Sequence, residues 1–159
     1  ITWDEMSVIE AVCAQEDTIY SWTRSRVLLV NGEAAGALIS YPGAEYEELR
    51  LPTWRRIWNE SPDDAHAFEP ETYAGEYYLD SLAVREEYRG RGYGHMLLLD
   101  GVRKAQAMGY SDITLIAETE SPALMQYYMK AGFVPMSRMD FFGHEYTRMR
   151  YQISESTSF

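Results

Sequence analysis

The sequence of 159 residues contains a single cysteine, Cys13. One thiol excludes an internal disulfide framework and fits a reducing compartment, so we expect a cytoplasmic protein. We expect Cys13 itself to be a small buried residue on an early helix. The three histidines, His66, His95 and His144, lack metal-ligand spacing, so the sequence predicts no metal site. His95 is expected to be a surface or packing residue.

Long apolar runs are also missing. No stretch approaches the ~20 residues that a membrane-spanning helix needs, so the sequence predicts no membrane segment. No signal-peptide pattern is visible at its start. Because the sequence begins at Ile1 rather than at methionine, we expect a short segment to precede it.

Basic residues are scarce, with 14 Lys and Arg against 25 Asp and Glu, for a formal net charge of −11. Phosphate contacts need a basic face, so this balance argues against general nucleic-acid binding and against anionic membranes as partners. Through steering, it favours cationic small molecules or basic peptides. The length, with a hydrophobic fraction of 46%, is that of one globular domain with one sizeable core.

Helix and strand patterns alternate along most of the chain. Residues 1–25 indicate one or two helices, and Asn31-Gly32 predicts a hairpin turn between strands Arg26–Val30 and Ala35–Tyr41. The later elements are a strand Glu76–Val84, a helix ending at Gly109, a strand Asp112–Ala117, a helix between the cap Ser121 and Gly132, and strands Phe133–Pro135 and Tyr146–Ile153 around a turn at Gly143. This order predicts an α/β fold in which helices flank a mixed central sheet.

Residues 42–75 differ from the rest in being rich in proline and acidic residues. A short helix is expected over Thr53–Asn59, with Trp54 and Trp58 one turn apart. We expect both tryptophans to cover the core. The segment as a whole is interpreted as a substrate-side insertion or lid.

The stretch EYRGRGYGH, residues 87–95, carries glycine at alternate positions between a strand and a helix. The first turn of a helix leaves backbone N–H groups unpaired, and the helix dipole adds partial positive charge there. Glycines let the backbone approach a ligand closely, and Arg89 and Arg91 add charge. The stretch therefore predicts a site for a phosphate or diphosphate.

Two common phosphate motifs do not fit this loop. The Walker pattern needs Gly-Lys-Ser/Thr, and the dinucleotide pattern would need glycine where His95 stands. The pattern Arg89-x-x-Gly92-x-Gly94 after LAV instead resembles the acyl-CoA loop of the GCN5-related N-acetyltransferase (GNAT) superfamily. Tyr128, Gly132 and Phe133 match that superfamily's later Tyr-x-x-x-Gly-Phe motif. The resemblance runs from about residue 26 to residue 153 and is strongest over residues 76–133.

The resemblance implies one GNAT domain over residues 1–159, with two parallel strands that splay around acetyl-CoA. Leu82, Ala83 and Val84 would then bind the pantetheine and the thioester through backbone groups. The diphosphate would be held by the loop residues Arg89, Gly90, Arg91, Gly92, Tyr93 and Gly94. The implied activity is acetyl transfer from acetyl-CoA to a primary amine of a small cationic molecule or a peptide. A homodimer through the C-terminal strands is also implied.

Tyr128 stands where the superfamily places the general acid that protonates the coenzyme A sulfur. The alternative is a core aromatic residue, with Tyr127 beside it competing for either helix face. Asp80 is the candidate base, since some members carry a carboxylate four residues before the position of Val84. Asp80 could instead orient a cationic amine, or be an acid on a solvated strand face.

Strand alternation predicts that the side chains at 76, 78, 80 and 82 share one face, which makes Glu76 and Tyr78 candidate substrate contacts. Glu118, at the end of the next strand, is a weaker candidate. Ser121 stands where many members carry Asn, and its role as a helix cap explains it without catalysis. This departure leaves open a catalytically inactive coenzyme A sensor. A nucleotide-binding module that shares only the loop is a third hypothesis.

Overall fold

The computed structural model describes residues 3–58 and 69–153. Within these residues the α-helices are α1 (Trp3–Cys13), α2 (Tyr46–Trp58), α3 (Tyr93–Ala107) and α4 (Pro122–Lys130). The strands are β1 (Ser25–Val30), β2 (Glu33–Pro42), β3 (Tyr77–Val84), β4 (Ile113–Glu118), β5 (Phe133–Phe141) and β6 (His144–Tyr151). No helix in this part of the chain combines the length and apolar character needed to cross a membrane.

The strands form one mixed sheet in the order β1-β2-β3-β4-β6-β5, so the predicted fold class is confirmed. All neighbouring pairs are antiparallel except β3 and β4. These two strands pair only at Tyr77 with Ile113 and at Tyr78 with Thr114. Beyond Tyr78 the pairing ends, so a gap opens between β3 and β4 as the resemblance implied.

Each face of the sheet has its own buried cluster. One cluster joins α3 to the sheet through Leu79, Leu97 and Leu98, and α4 packs against the same side. The second cluster lies under α2 and consists of Ile19, Tyr41, Tyr46, Leu49 and Tyr78. The gap between β3 and β4 therefore lies between two packed layers.

A β-bulge in β3 changes which residues face each layer. Ser40 pairs with Leu79 and Ile39 with Ser81, so Asp80 is the extra residue. An extra residue reverses the alternation beyond it. Leu79 and Leu82 consequently both pack toward the α3 layer. The prediction that residue 82 shares a face with residues 76, 78 and 80 is therefore wrong.

The hairpin turn at Asn31-Gly32 and the helix cap at Ser121 are present as predicted. Asn31 and Gly32 both have positive φ, 51° and 82°, as a two-residue hairpin turn requires. The Ser121 hydroxyl accepts a hydrogen bond from the Leu124 amide at 3.4 Å and caps α4. Cys13, expected to be buried, is half-buried at the end of α1.

Helix α2 begins earlier than the predicted Thr53, at Tyr46, and contains Pro52. A proline inside a helix costs about 3 kcal/mol, so a helix across it was not expected. Burial of one face, including Tyr46 and Leu49, offsets this cost. Trp54 is buried as predicted, but Trp58 is 49% exposed, so the prediction for Trp58 is wrong. Asn59 and the middle of the proposed lid, residues 59–68, lie outside the described residues.

Candidate functional site

A cavity of about 610 Å³ opens where β3 ends and α3 begins. Its lining combines the end of β3, the glycine loop, the first turn of α3 and one face of α4. The lining residues are Leu82, Ala83, Val84, Tyr88, Arg89, Gly90, Gly92, Tyr93, Gly94, His95, Leu124, Tyr127 and Tyr128. Eight predicted cofactor residues and Tyr128 thus meet at one cavity, whereas Arg91 does not line it.

The loop gives this cavity a set of unpaired backbone donors. Gly90 and Gly92 have φ of 73° and 81°, values that favour glycine. Gly92 is the N-cap of α3, and the first helical bond runs from the Met96 amide to the Gly92 carbonyl. The helix leaves the amides of the intervening residues unpaired, at the positive end of its dipole. This donor set suits a diphosphate.

The two loop arginines contribute less directly to the charge of the cavity than the sequence predicted. The Arg89 Nε donates to the Val84 carbonyl at 2.9 Å, which fastens the loop to the end of β3. The Arg91 guanidinium lies 5.8 Å from the centroid of the Tyr88 ring. Arg91 therefore adds positive charge beside the cavity rather than inside it.

Tyr128 lines the cavity from α4. Its ring packs edge-on against Phe133 and Tyr127, at centroid distances of 6.4 and 5.6 Å. Burial, and then the charge of Tyr127, raises the pKa of the Tyr128 phenol above its ordinary value. The phenol therefore stays protonated at neutral pH and can act as a proton donor.

Tyr127 and His95 form part of the same wall, which sequence reasoning missed. Their rings stack at 4.4 Å with an angle of 25° between planes, and the His95 Nε2 lies 3.1 Å from the Tyr127 carbonyl oxygen. A Cβ at Gly94 would lie 2.0 Å from the Tyr127 hydroxyl oxygen. The Tyr127 phenol thus lies directly on the first turn of α3. The sequence gave no signal for the contacts of Tyr127 with Gly94 and His95, because more than 30 residues separate them along the chain.

Asp80 lies on the opposite face of β3, at the bulge. The Tyr41 hydroxyl donates to one carboxylate oxygen and the Ser81 hydroxyl to the other, each at 2.7 Å. Burial raises the pKa of Asp80, while these two hydrogen bonds partly lower it. A half-buried carboxylate with a raised pKa, next to the gap between β3 and β4, is a suitable proton acceptor.

Glu71 accompanies Asp80 and was not predicted. Its carboxylate accepts hydrogen bonds from the Tyr78 hydroxyl at 2.9 Å and the Tyr46 hydroxyl at 3.1 Å. Burial, and then repulsion from Asp80, raises the pKa of Glu71 to about 8. None of the Lys, Arg and His side chains in the described residues forms an ion pair with either carboxylate. Two carboxyl groups without a cationic partner among the described residues therefore share this side of the sheet, and at pH 7 Glu71 is mostly protonated.

We expect the Glu71→Gln substitution to change how stability depends on pH. A carboxyl whose pKa is raised by folding favours the folded state at low pH, and this contribution is lost as pH rises through the folded value of about 8. The stability of wild type relative to Glu71→Gln should thus fall between pH 5 and pH 9 by at least about 1.4 kcal/mol. Urea unfolding at the two pH values measures this difference. A difference that stays constant would contradict the assignment.

The other predicted substrate contacts occupy different settings. Glu76 is buried and bound by Arg148, with Nη2 2.6 and 2.8 Å from the two carboxylate oxygens, so its charge is already paired. Tyr78 is buried and directs its hydroxyl to Glu71. Glu118 is exposed at the end of β4 and does not line the cavity. The described residues contain no group of three or more His, Cys, Asp and Glu side chains that could hold a metal ion.

Comparison with known proteins agrees with this geometry. The family model of the acetyltransferase (GNAT) family matches residues 3–133. The curated protein N-alpha-acetyltransferase 30 of Saccharomyces cerevisiae is 32% identical over 82 residues, which are 52% of this chain and 42% of that protein. The match therefore spans less than half the length of this relative.

Solved structures share the fold over most of this chain. A crystal structure described as an acetyltransferase superposes on 97% of this chain and 83% of its own, with a TM-score of 0.76 and 28% identity. A GNAT family acetyltransferase from Elizabethkingia anophelis with acetyl-CoA bound has a TM-score of 0.54 and 17% identity, over 81% of this chain and 75% of its own. The unpaired amides and the glycines of positive φ fit the diphosphate of that cosubstrate. With the family model matching most of its length, this chain belongs to the acetyltransferase (GNAT) family, whose cosubstrate is acetyl-CoA.

Proposed function

We propose that the protein is an N-acetyltransferase that moves the acetyl group of acetyl-CoA to a primary amine of a cationic small molecule or a peptide. One observation carries this proposal: a single cavity combines the amide donors of the glycine loop with the Tyr128 phenol. The loop would hold the diphosphate, and the backbone of Leu82 to Val84 would hold the pantetheine arm. The thioester would then lie in the gap between β3 and β4.

The residues on the two sides of the gap have complementary roles in this proposal. The bound ammonium group first loses one proton to solvent, and the resulting neutral amine attacks the thioester carbonyl, so that a C–N bond forms and the C–S bond breaks. Asp80 takes the proton released by the amine, directly or through water, and Tyr128 gives its proton to the departing sulfur. Proton exchange with solvent then restores both side chains. One amide and one free thiol result from each cycle.

Charge supports a cationic acceptor. Glu71 and Asp80 lack a cationic partner among the described residues, and they lie on the face of β3 opposite to α3. An ammonium group bound there would favour ionisation of both carboxyl groups, whose pKa values burial raises, and would lie close to the proposed base. A peptide amino terminus is one such group, and the name of the yeast relative refers to an α-amine. We therefore propose that acceptors present a primary ammonium group.

The test is release of free thiol from acetyl-CoA in the presence of a panel of acceptors. The panel contains diamines and polyamines, peptides with free amino termini, and neutral and anionic primary amines as controls. We expect the cationic acceptors and peptides to have the highest kcat/KM. A preference for neutral or anionic amines would contradict the proposed acceptor class. Tight coenzyme A binding without turnover on any acceptor would favour a sensor instead.

A further inference from the structure

The two adjacent tyrosines of α4 have different surroundings within the same cavity. Tyr128 packs toward the core against Phe133, whereas Tyr127 extends across the cavity to the first turn of α3. The hydroxyl oxygen of Tyr127 lies where a side chain at Gly94 would begin, 2.0 Å from the position of its Cβ. Gly94 has no positive φ, so its conformation does not require glycine. The contact with Tyr127 is what leaves no space for a side chain there.

This hydroxyl lies against Gly94, whose amide is one of the unpaired amides of α3. The first helical hydrogen bond is donated by Met96, so the amides of Tyr93, Gly94 and His95 have no helical acceptor. An anion held by these amides lies within reach of a hydroxyl that rests on Gly94. Burial raises the pKa of the Tyr127 phenol, which keeps it a hydrogen-bond donor at neutral pH.

His95 holds Tyr127 in this position by two contacts. The rings stack with their centroids 4.4 Å apart. The His95 Nε2 lies 3.1 Å from the backbone carbonyl oxygen of Tyr127. Because a carbonyl oxygen can only accept a hydrogen bond, Nε2 carries the hydrogen and donates it. Both contacts tie the first turn of α3 to the middle of α4. Rotation of the Tyr127 ring away from Gly94 would break the stack.

We propose that Tyr127 is a second functional phenol of the site: its hydroxyl donates a hydrogen bond to the diphosphate of coenzyme A, and His95 is the positioning residue that holds it there. Tyr127 then serves cosubstrate binding, whereas Tyr128 serves proton transfer. This inference rests on coenzyme A binding in the cavity and is independent of the acceptor amine.

Calorimetry of coenzyme A binding to wild type and Tyr127→Phe tests the proposal without turnover. Loss of a hydrogen bond to a charged group should weaken coenzyme A binding about tenfold. Pantetheine, which lacks the diphosphate, is the control ligand, and its affinity should change less than about twofold. Tyr128→Phe is the matched control variant, because the hydroxyl that lies against Gly94 belongs to Tyr127; loss of the Tyr128 hydroxyl should affect coenzyme A and pantetheine equally.

The outcomes separate the proposal from its alternatives. Equal weakening of coenzyme A and pantetheine binding, or no weakening of either, would overturn it. His95→Ala should weaken coenzyme A binding in wild type but add little in the Tyr127→Phe background, because His95 acts through Tyr127. Additive losses would overturn the positioning role. Failure of wild type itself to bind coenzyme A would instead refute the proposed function.

Discussion

Replacement of Tyr128 by phenylalanine is expected to lower kcat about a hundredfold or more, because general acid catalysis contributes 10²- to 10⁴-fold in typical enzymes. The phenol lines the cavity at the end of β3, and burial keeps it protonated by raising its pKa. Phenylalanine retains the edge-on packing against Phe133 and Tyr127 and removes only the hydroxyl. Folding should therefore be unaffected.

The measurement is steady-state kinetics with a saturating acceptor, accompanied by calorimetry of coenzyme A binding. The loss should fall on kcat, with coenzyme A affinity close to that of wild type. Tyr127→Phe should show the opposite division, with the main effect on cosubstrate affinity. A kcat for Tyr128→Phe equal to that of wild type would exclude Tyr128 as the general acid and leave it a packing residue.

Replacement of Arg148 by leucine is expected to destabilise the protein by about 3 kcal/mol or more, because breaking a buried ion pair leaves an uncompensated charge. The Arg148 and Glu76 side chains are only 11% and 9% exposed. Thr72 and Thr114 also donate to Glu76, at 2.8 and 3.1 Å. These hydrogen bonds join β4 and β6 to the start of β3, beside the last point at which β3 and β4 pair.

Urea unfolding at pH 7 measures this effect, and Arg26→Ala is the control. Arg26 pairs with Asp100 at 2.7 Å, but both side chains are over 40% exposed, so its loss should cost less than about 1 kcal/mol. Burial alone would raise the pKa of Glu76, but Arg148 and Thr72 lower it overall. Because folding lowers the pKa of Glu76, its ionisation stabilises the folded state at pH values above the pKa of the unfolded state. This stabilisation is lost as the pH falls through the pKa of the folded state. The cost of Arg148→Leu should therefore shrink in acid, and equal costs for both variants would contradict the burial argument.

The parts of the site that the sequence predicted are those encoded by neighbouring residues. The glycine loop, the N-terminus of α3 and the Ser121 cap depend on residues a few positions apart, so their conformations follow from local rules. Tyr128 was identified through the resemblance of Tyr128, Gly132 and Phe133 to the superfamily motif, and the caps Ser121 and Gly132 predicted the helix that carries it. These signals were sufficient to locate the cavity.

The missed features depend on contacts between distant segments. The bulge at Asp80 arises from the pairing of β3 with β2 and has no local sequence signal, so the face of Leu82 was predicted wrongly. Glu71 belongs to an acidic stretch without periodicity, and only the folded chain brings it to Tyr46 and Tyr78. The start of α2 was predicted too late, because Pro52 disfavours a helix locally. In the folded chain, burial of one face of α2 outweighs that cost.

The short pairing of β3 with β4 is expected to link ligand occupancy to stability. Past Tyr78 the edge of β3 that faces β4 has lost its neighbouring strand, and main-chain groups left without partners weaken a fold. A pantetheine arm carries amides of its own and can take the place of the absent strand. Bound coenzyme A would then complete the sheet, and its concentration would help to set the stability of the protein. At a concentration of a hundred times Kd, a ligand that binds only the folded state adds about 2.7 kcal/mol to the free energy of unfolding.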